Sequence, residues 1–560
     1  MFRGRFAFTI LIFFTFSLAV KASKANMDYL ARRSELLKME DGLRLGAESF
    51  SKMIAIFSII CLNLFTATTT ANLPVENSKY FQVREELIQT EDHLSTGGEV
   101  QLNSKEIEVD RIFMKYKIEE LKEGSHHPSK NAAGMHFFKA KPLIERSKVF
   151  RFLQQMPKGA LLHLHNTAGV SSEWIVRNLS QLTGLLRCID QRGINILTFR
   201  ENPERHKCTT QYVAVNEERQ KSRSQADYNR SFENLINLYT KRPELEYPTI
   251  NHVWDRFQNM FSTVKDFIHY LPAYRVYLWR LLKESYDDKI IYVELRFTTF
   301  ELYDRLGQVY ADEHFLTVIL EVVGSFRSQY PDFLGVKLIY AINRRLETNE
   351  VRNRVEILKK FHLAYPNIMI GFDLVGQEDK GKPLTDFIEI FKEVPDTIKF
   401  FFHAGETNWY GTSTDLNLFD AILLNTTRIG HGYALMKHPI LWKAVKERNI
   451  AIEVCPISNQ VLHLVWDLRN HPGAFYLSQN IPVVISSDDP GFWGAKGLSY
   501  DYYYAIMSLA SNQSGLRTLK QLVWNSISYS TLNKTERALA NATLKRQWDL
   551  FLDGILNENQ

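Results

Sequence analysis

Between residues 159 and 490 the chain alternates eight short β-rich runs with amphipathic helical stretches, and few folds accommodate that rhythm. The runs are GALLHLHNT (159–167), IIYVELRFT (290–298), GVKLIYAIN (335–343), IMIGFDLVG (368–376), IKFFFHAGE (398–406), TRIGHGYA (427–434), IAIEVCPIS (450–458) and IPVVISSDDP (481–490). From the second run on, starts are spaced by 45, 33, 30, 29, 23 and 31 residues, about one strand plus one helix each. Several runs are apolar throughout, as parallel strands covered on both faces must be. The stretch DEHFLTVILEVVGSFRS has the period of a covering helix. Eight such units predict an α/β fold, a TIM-type (β/α)8 barrel, with an open doubly wound sheet as the competitor.

The first spacing breaks the rhythm, because 131 residues separate the first two run starts. The excess reads as an insertion between strands 1 and 2, a subdomain at about 177–250 holding Cys188 and Cys208. Ahead of the barrel, residues from about Ser78 to Gly124 have a helical pattern, with Asn103 and Glu106 spaced as a capping box. The expected organisation is a leader region over 1–71, an N-terminal helical segment over 72–145 and the barrel over 146–560.

Composition narrows the function classes. At 45% hydrophobic and 23% charged, the 560 residues are not those of a disordered chain. A net charge of +5 without a long basic run speaks against nucleic-acid binding. No apolar run reaches the ~20 residues of a stable membrane span.

Two stretches resemble secretory leaders. Arg3 and Arg5 precede an apolar run from Phe6 to Val20, with Ala22 as a cleavage residue; a second run, Ile54 to Phe65, ends in the small residues Ala67 to Ala71. A start at Met53 would make the second a signal by itself. Either predicts a secreted, extracellular product, and six N-x-S/T acceptors fit a glycoprotein. In an oxidising compartment Cys188 and Cys208 are the natural disulfide pair, worth ~3 kcal/mol for a loop of this length. Cys455, inside an apolar run, reads as an inert core thiol.

The chemistry gathers where barrel strands end. His163 and His165 come from run 1, His403 and Glu406 from run 5, His431 from run 6, and Asp488 and Asp489 from run 8. Residues i and i+2 of a strand face the same way, so His163 and His165 can offer two imidazoles to one ion. His403 adds a third nitrogen and Asp488 an anionic oxygen, a set suited to one Zn²⁺ that activates a water. Glu406, outside that set, suits a proton donor with a raised pKa. His431 suits an orienting or proton-accepting role toward the water, and Asp489 can bind a polar ring atom.

These segments resemble a known family. MPKGALLHLHNTAG, HAGET, RIGHG, EVCPISNQ and SSDDP are similar to motifs of the adenosine/AMP deaminase superfamily. FDLVGQED, FFHAGETNWYGTS, LNTTRIGHGYAL and VISSDDPGFWGAKGLSYDYYYA resemble its secreted branch, the adenosine deaminase-related growth factors of adenosine deaminase 2 type. The resemblance implies hydrolysis of adenosine or 2′-deoxyadenosine to inosine and ammonia, with zinc held by His163, His165, His403 and Asp488. It implies Glu406 as donor to purine N1, His431 acting on the attacking water, Asp489 on N7 and the Gly376 backbone N–H on N3. Trp254 looks like a tryptophan beside the ribose. The resemblance also implies a homodimer formed by the N-terminal helices and a receptor- or glycosaminoglycan-binding role for the insertion. Growth-factor-like activity through adenosine depletion is expected, with a receptor-binding signalling ligand whose pocket is dispensable as the alternative. Asn166 and Thr167 stand where relatives carry aspartate near the sugar, which leaves the mode of ribose binding open.

Overall fold

The computed structural model describes residues 77–559 except 202 and 204–207, so both leader-like stretches lie outside the described residues. The predicted strands form as β1 (Gly159–His165), β2 (Ile290–Phe297), β3 (Gly335–Asn343), β4 (Met369–Val375), β5 (Lys399–Phe400, continuing at His403–Ala404), β6 (Arg428–His431), β7 (Ala451–Val454) and β8 (Val483–Ile485). Their pairing is parallel and follows chain order. One sheet runs from β1 to the first part of β5, and a second from the rest of β5 to β8.

The ends of this series also meet. Leu164 of β1 bridges Asp488, just past β8, with His165 N–H donating to Asp488 O at 3.0 Å and Asp488 N–H to His163 O at 3.1 Å. The order is consistent with a TIM-type barrel. All eight residues of β2 are buried, and each large aliphatic side chain there contributes ~1.5–3 kcal/mol by leaving water. The stretch expected to cover the sheet is the helix Asp312–Gln329, whose Phe315, Ile319, Val322 and Phe326 are buried.

Run 5 departs from a continuous strand for a visible reason. The Asp373 carboxylate of β4 accepts the His403 backbone N–H at 2.8 Å, so a side chain takes over a ladder position. The predicted N-terminal helix is likewise two helices, Asn77–Leu94 and Ser104–His126. Gly97 between them has φ +94°, and an added Cβ there would meet the Thr518 backbone at 2.6 Å, so the chain must turn away. Asn103 and Glu106 form the capping box that starts the second helix, at 3.0 and 2.9 Å.

Within the insertion, Leu186–Ile189 pairs antiparallel with Asn195–Thr198 and Val213–Ala214. Cys188 and Cys208 are joined as a disulfide with their Cα atoms 6.1 Å apart. The helix Ile250–His269, capped by Thr249, returns the chain to the barrel and carries Trp254 and Phe257 on its buried face. No helix among the described residues is long and apolar enough to cross a membrane.

Candidate active site

Ligand atoms of His163, His165, His403 and Asp488 lie within 4.8 Å of one another. Strand alternation puts His163 and His165 on one face of β1, and their Nε2 atoms are 3.3 Å apart. Asp488 Oδ1 is 3.2 Å from His163 Nε2 and 3.1 Å from His165 Nε2. Asp488 holds a left-handed backbone conformation, φ +61°, and so does His431, φ +60°. Non-glycine residues adopt it rarely and at some cost, and such strain clusters at functional sites.

The far side of each imidazole shows which way its lone pair points. His163 Nδ1 is 2.8 Å from Glu453 Oε2, and His403 Nδ1 is 2.7 Å from Asp373 Oδ2. A carboxylate only accepts, so each Nδ1 carries the proton and each Nε2 turns a lone pair inward. Two inward lone pairs beside a carboxylate repel unless a cation lies among them. The donor set therefore fits a divalent metal ion, with the outer carboxylates fixing the tautomers.

Beneath the histidines lies a buried charge network that sequence reading did not single out. Arg296 donates to Asp373 at 2.7 Å and Glu453 at 2.6 Å; Arg428 donates to Glu453 and Glu294, both at 2.7 Å. All five side chains are fully buried. Burial alone would push Glu453 up, but Arg296 and Arg428 hold it well below the usual carboxylate range. The signal was present in the sequence: a charge inside an apolar strand run needs a buried partner, and run 2 contains Glu294 and Arg296, run 4 Asp373, run 6 Arg428 and run 7 Glu453.

Glu406 is 4% exposed, and burial pushes its carboxyl well above the ordinary value, with Asp488 and Glu378 adding to the rise. Its loop is clamped by Glu378, which accepts the N–H of Gly405 at 3.1 Å and of Glu406 at 2.5 Å. Asp489 is also pushed well up, by burial and then by Asp488; its side chain caps no helix, and its Oδ1 finds no hydrogen-bond partner among the described residues. Cys455 lies close to His163 and His431, but burial pushes its thiol well up, which disfavours the thiolate a metal needs.

His165, His403, Glu406, His431 and Asp488 open on one cavity of about 230 Å³, which Asp489, Gly376 and Trp254 also line. Trp254 packs edge-on against Phe257 at 5.3 Å between ring centroids, so it is both cavity wall and core. Asn166 has its Oδ1 near Tyr274 Oη and its Nδ2 without a partner among the described residues. His163 lies just behind this lining, its Nε2 3.3 Å from that of His165.

Comparison with known proteins agrees with this geometry. The family "Adenosine deaminase" matches residues 232–545, and "Adenosine/AMP deaminase N-terminal" matches residues 59–153. Adenosine deaminase 2 of Homo sapiens is 40% identical over 483 residues, covering 85% of this chain and 93% of that protein. Adenosine deaminase of Lutzomyia longipalpis is 40% identical over 500 residues, covering 87% of this chain and 98% of that protein. Among solved structures, an arabidopsis N6-mAMP deaminase has a TM-score of 0.50 at 18% identity, over 71% of this chain and 99% of that one, a likeness of fold. With the family spanning more than half of its length and relatives at 40% identity along most of it, the chain belongs to the adenosine deaminase family, in the adenosine deaminase 2 type.

Proposed function

We propose that the protein is a secreted, zinc-dependent adenosine deaminase that hydrolyses adenosine, and 2′-deoxyadenosine, to inosine and ammonia. The observation that carries this reading is the meeting of three histidines and Asp488 around one point, with a raised-pKa Glu406 in the same cavity. Zinc held by His163, His165, His403 and Asp488 would supply a water that is nucleophilic at neutral pH.

The chain's own groups do the rest. Glu406 is protonated in its buried setting and donates to purine N1 as C6 is attacked. Asp489, also protonated, donates to N7, while the Gly376 N–H meets N3. The apolar wall of Trp254, Phe257 and Phe261 excludes water beside the sugar, where the free Asn166 Nδ2 offers a donor to a hydroxyl.

Substrate size follows from charge. Arg296 is the one cation among the described residues lining the cavity, and its guanidinium is already held by Asp373, Glu453 and the carbonyls of Leu162 and Phe401. No free cation faces a phosphate there, which favours a nucleoside over AMP.

Two leader-like stretches, a disulfide and adenosine deaminase 2 relatives support an extracellular location. Growth-factor-like action through adenosine depletion, a homodimer through residues 72–145 and receptor or glycosaminoglycan binding by the insertion complete the reading. The test is zinc content together with ultraviolet-monitored turnover of adenosine, 2′-deoxyadenosine and AMP by the purified secreted product. Nucleoside turnover at one zinc per chain is expected; a preference for AMP, or full activity without metal, would overturn the reading.

A further inference from the structure

A chain of hydrogen bonds behind His431 fixes which of its nitrogens carries the proton. It begins at an unambiguous donor, the backbone N–H of Gly473, which donates to His471 Nδ1 at 2.8 Å. That nitrogen is therefore the acceptor, and in the neutral ring the proton sits on His471 Nε2. His471 is 2% exposed, and burial pushes it down to about 3, so the ring is neutral.

Next, His471 Nε2 lies 2.9 Å from Asn459 Oδ1, and the amide oxygen accepts. This fixes the Asn459 amide, whose Nδ2 then faces His431 Nδ1 at 3.1 Å and donates to it. With Nδ1 accepting, the His431 proton must sit on Nε2. That atom finds no hydrogen-bond partner among the described residues; it lies 3.8 Å from Glu406 Oε1 and 3.9 Å from Asp488 Oδ2, in the wall of the cavity. The same short helix, Pro456–Val461, also carries Ser458, whose hydroxyl donates to Asp488 Oδ2 at 2.7 Å.

We propose that Asn459 and His471 are positioning residues that hold His431 as an Nε2–H donor, so that His431 hydrogen-bonds the attacking water's oxygen instead of removing its proton. The inference rests on the deaminase reading for the identity of that water. The tautomer itself rests only on the relay from Gly473. Sequence reading left the two roles of His431 open, and the relay decides between them because each member has a fixed donor end.

The test compares Asn459→Asp with Asn459→Ala in metal-loaded protein. An aspartate is nearly isosteric but only accepts, so it imposes the opposite tautomer on His431. Alanine merely releases the ring. A kcat loss of about 100-fold or more is expected for the aspartate variant and a smaller loss for alanine, with KM for adenosine little changed. A packing role for Asn459 gives the reverse order, with alanine the worse. Nitrogen-15 spectra of histidine-labelled protein supply a readout independent of activity: His431 protonated on Nε2 in the parent and on Nδ1 in the aspartate variant.

A parent ring protonated on Nδ1, or alanine more damaging than aspartate, would overturn the proposal. Absence of adenosine turnover by the parent would instead defeat the deaminase reading, while the spectra still test the relay.

Discussion

Glu453 Oε2 accepts the Nδ1 proton of His163 at 2.8 Å and, through the same carboxylate, binds both Arg296 and Arg428. One side chain thus sets a ligand's tautomer and balances two buried guanidiniums. Glu453→Gln removes the charge and leaves both cations short of a partner. The expected result is a 10–100-fold weaker hold on the metal and a loss of about 3–5 kcal/mol in stability. Chelator competition and urea denaturation measure the two effects separately.

Glu406→Gln keeps the shape and hydrogen-bonding capacity of the side chain but cannot give up a proton to the ring. A kcat lower by about 100-fold or more is expected, with metal content retained. Near-normal turnover in this variant would remove Glu406 from its role as proton donor.

Gly376 sits at φ +98°, and a Cβ added there would lie 3.2 Å from Asn343 Nδ2 in the cavity wall. Gly376→Ala should cost about 1–3 kcal/mol through backbone strain. On the proposed contact of the Gly376 N–H with purine N3, KM for adenosine should rise more than kcat falls. Steady-state kinetics beside a melting curve checks both parts.

Acid should destabilise the metal-free protein. His403 is pushed down to about 4, by burial that outweighs Asp373, and burial pushes His136 and His471 down to about 3. All three are neutral when folded and protonate on unfolding as pH falls below ~6.5, so unfolding takes up protons. His163 differs: the hydrogen bonds it donates to Asp488 and Glu453 overcome its burial and raise it, so it is charged in both states in this window and adds no slope. Each of the three costs ~1.4 kcal/mol of stability per pH unit between the unfolded value and about pH 4, while Glu406 and Asp489, protonated when folded, offset two of them, which leaves a net loss. Urea denaturation of chelator-stripped protein at pH 7 and pH 5.5 measures the slope, and stability that holds or rises on acidification would contradict it.

The disulfide closes a loop between residues 20 apart in sequence. Replacing Cys188 and Cys208 together by serine should lower the stability of the inserted segment by ~3 kcal/mol. The cavity is built without either residue, so kcat for adenosine should hold, and turnover beside limited proteolysis of the insertion tests the pair of outcomes.

The strand series, the seven polar groups at its ends and the Asn103 cap were legible in the chain, because period-two alternation, helical period and capping are local properties. His163 and His165 had to share a face whatever the fold. The helix break at Gly97 and the split in β5 were not legible, since each comes from a distant contact: the Thr518 backbone against Gly97, and the Asp373 carboxylate taking the His403 N–H. The same holds for the pairing of Arg296 with Asp373 and Glu453, 77 and 157 residues away, which needs the order and register of the three strands that carry them. A charge in an apolar run announces that a partner exists, but only packing chooses the partner. The proton on His431 is decided further still from the local sequence, by an amide that Gly473 orients through a second histidine.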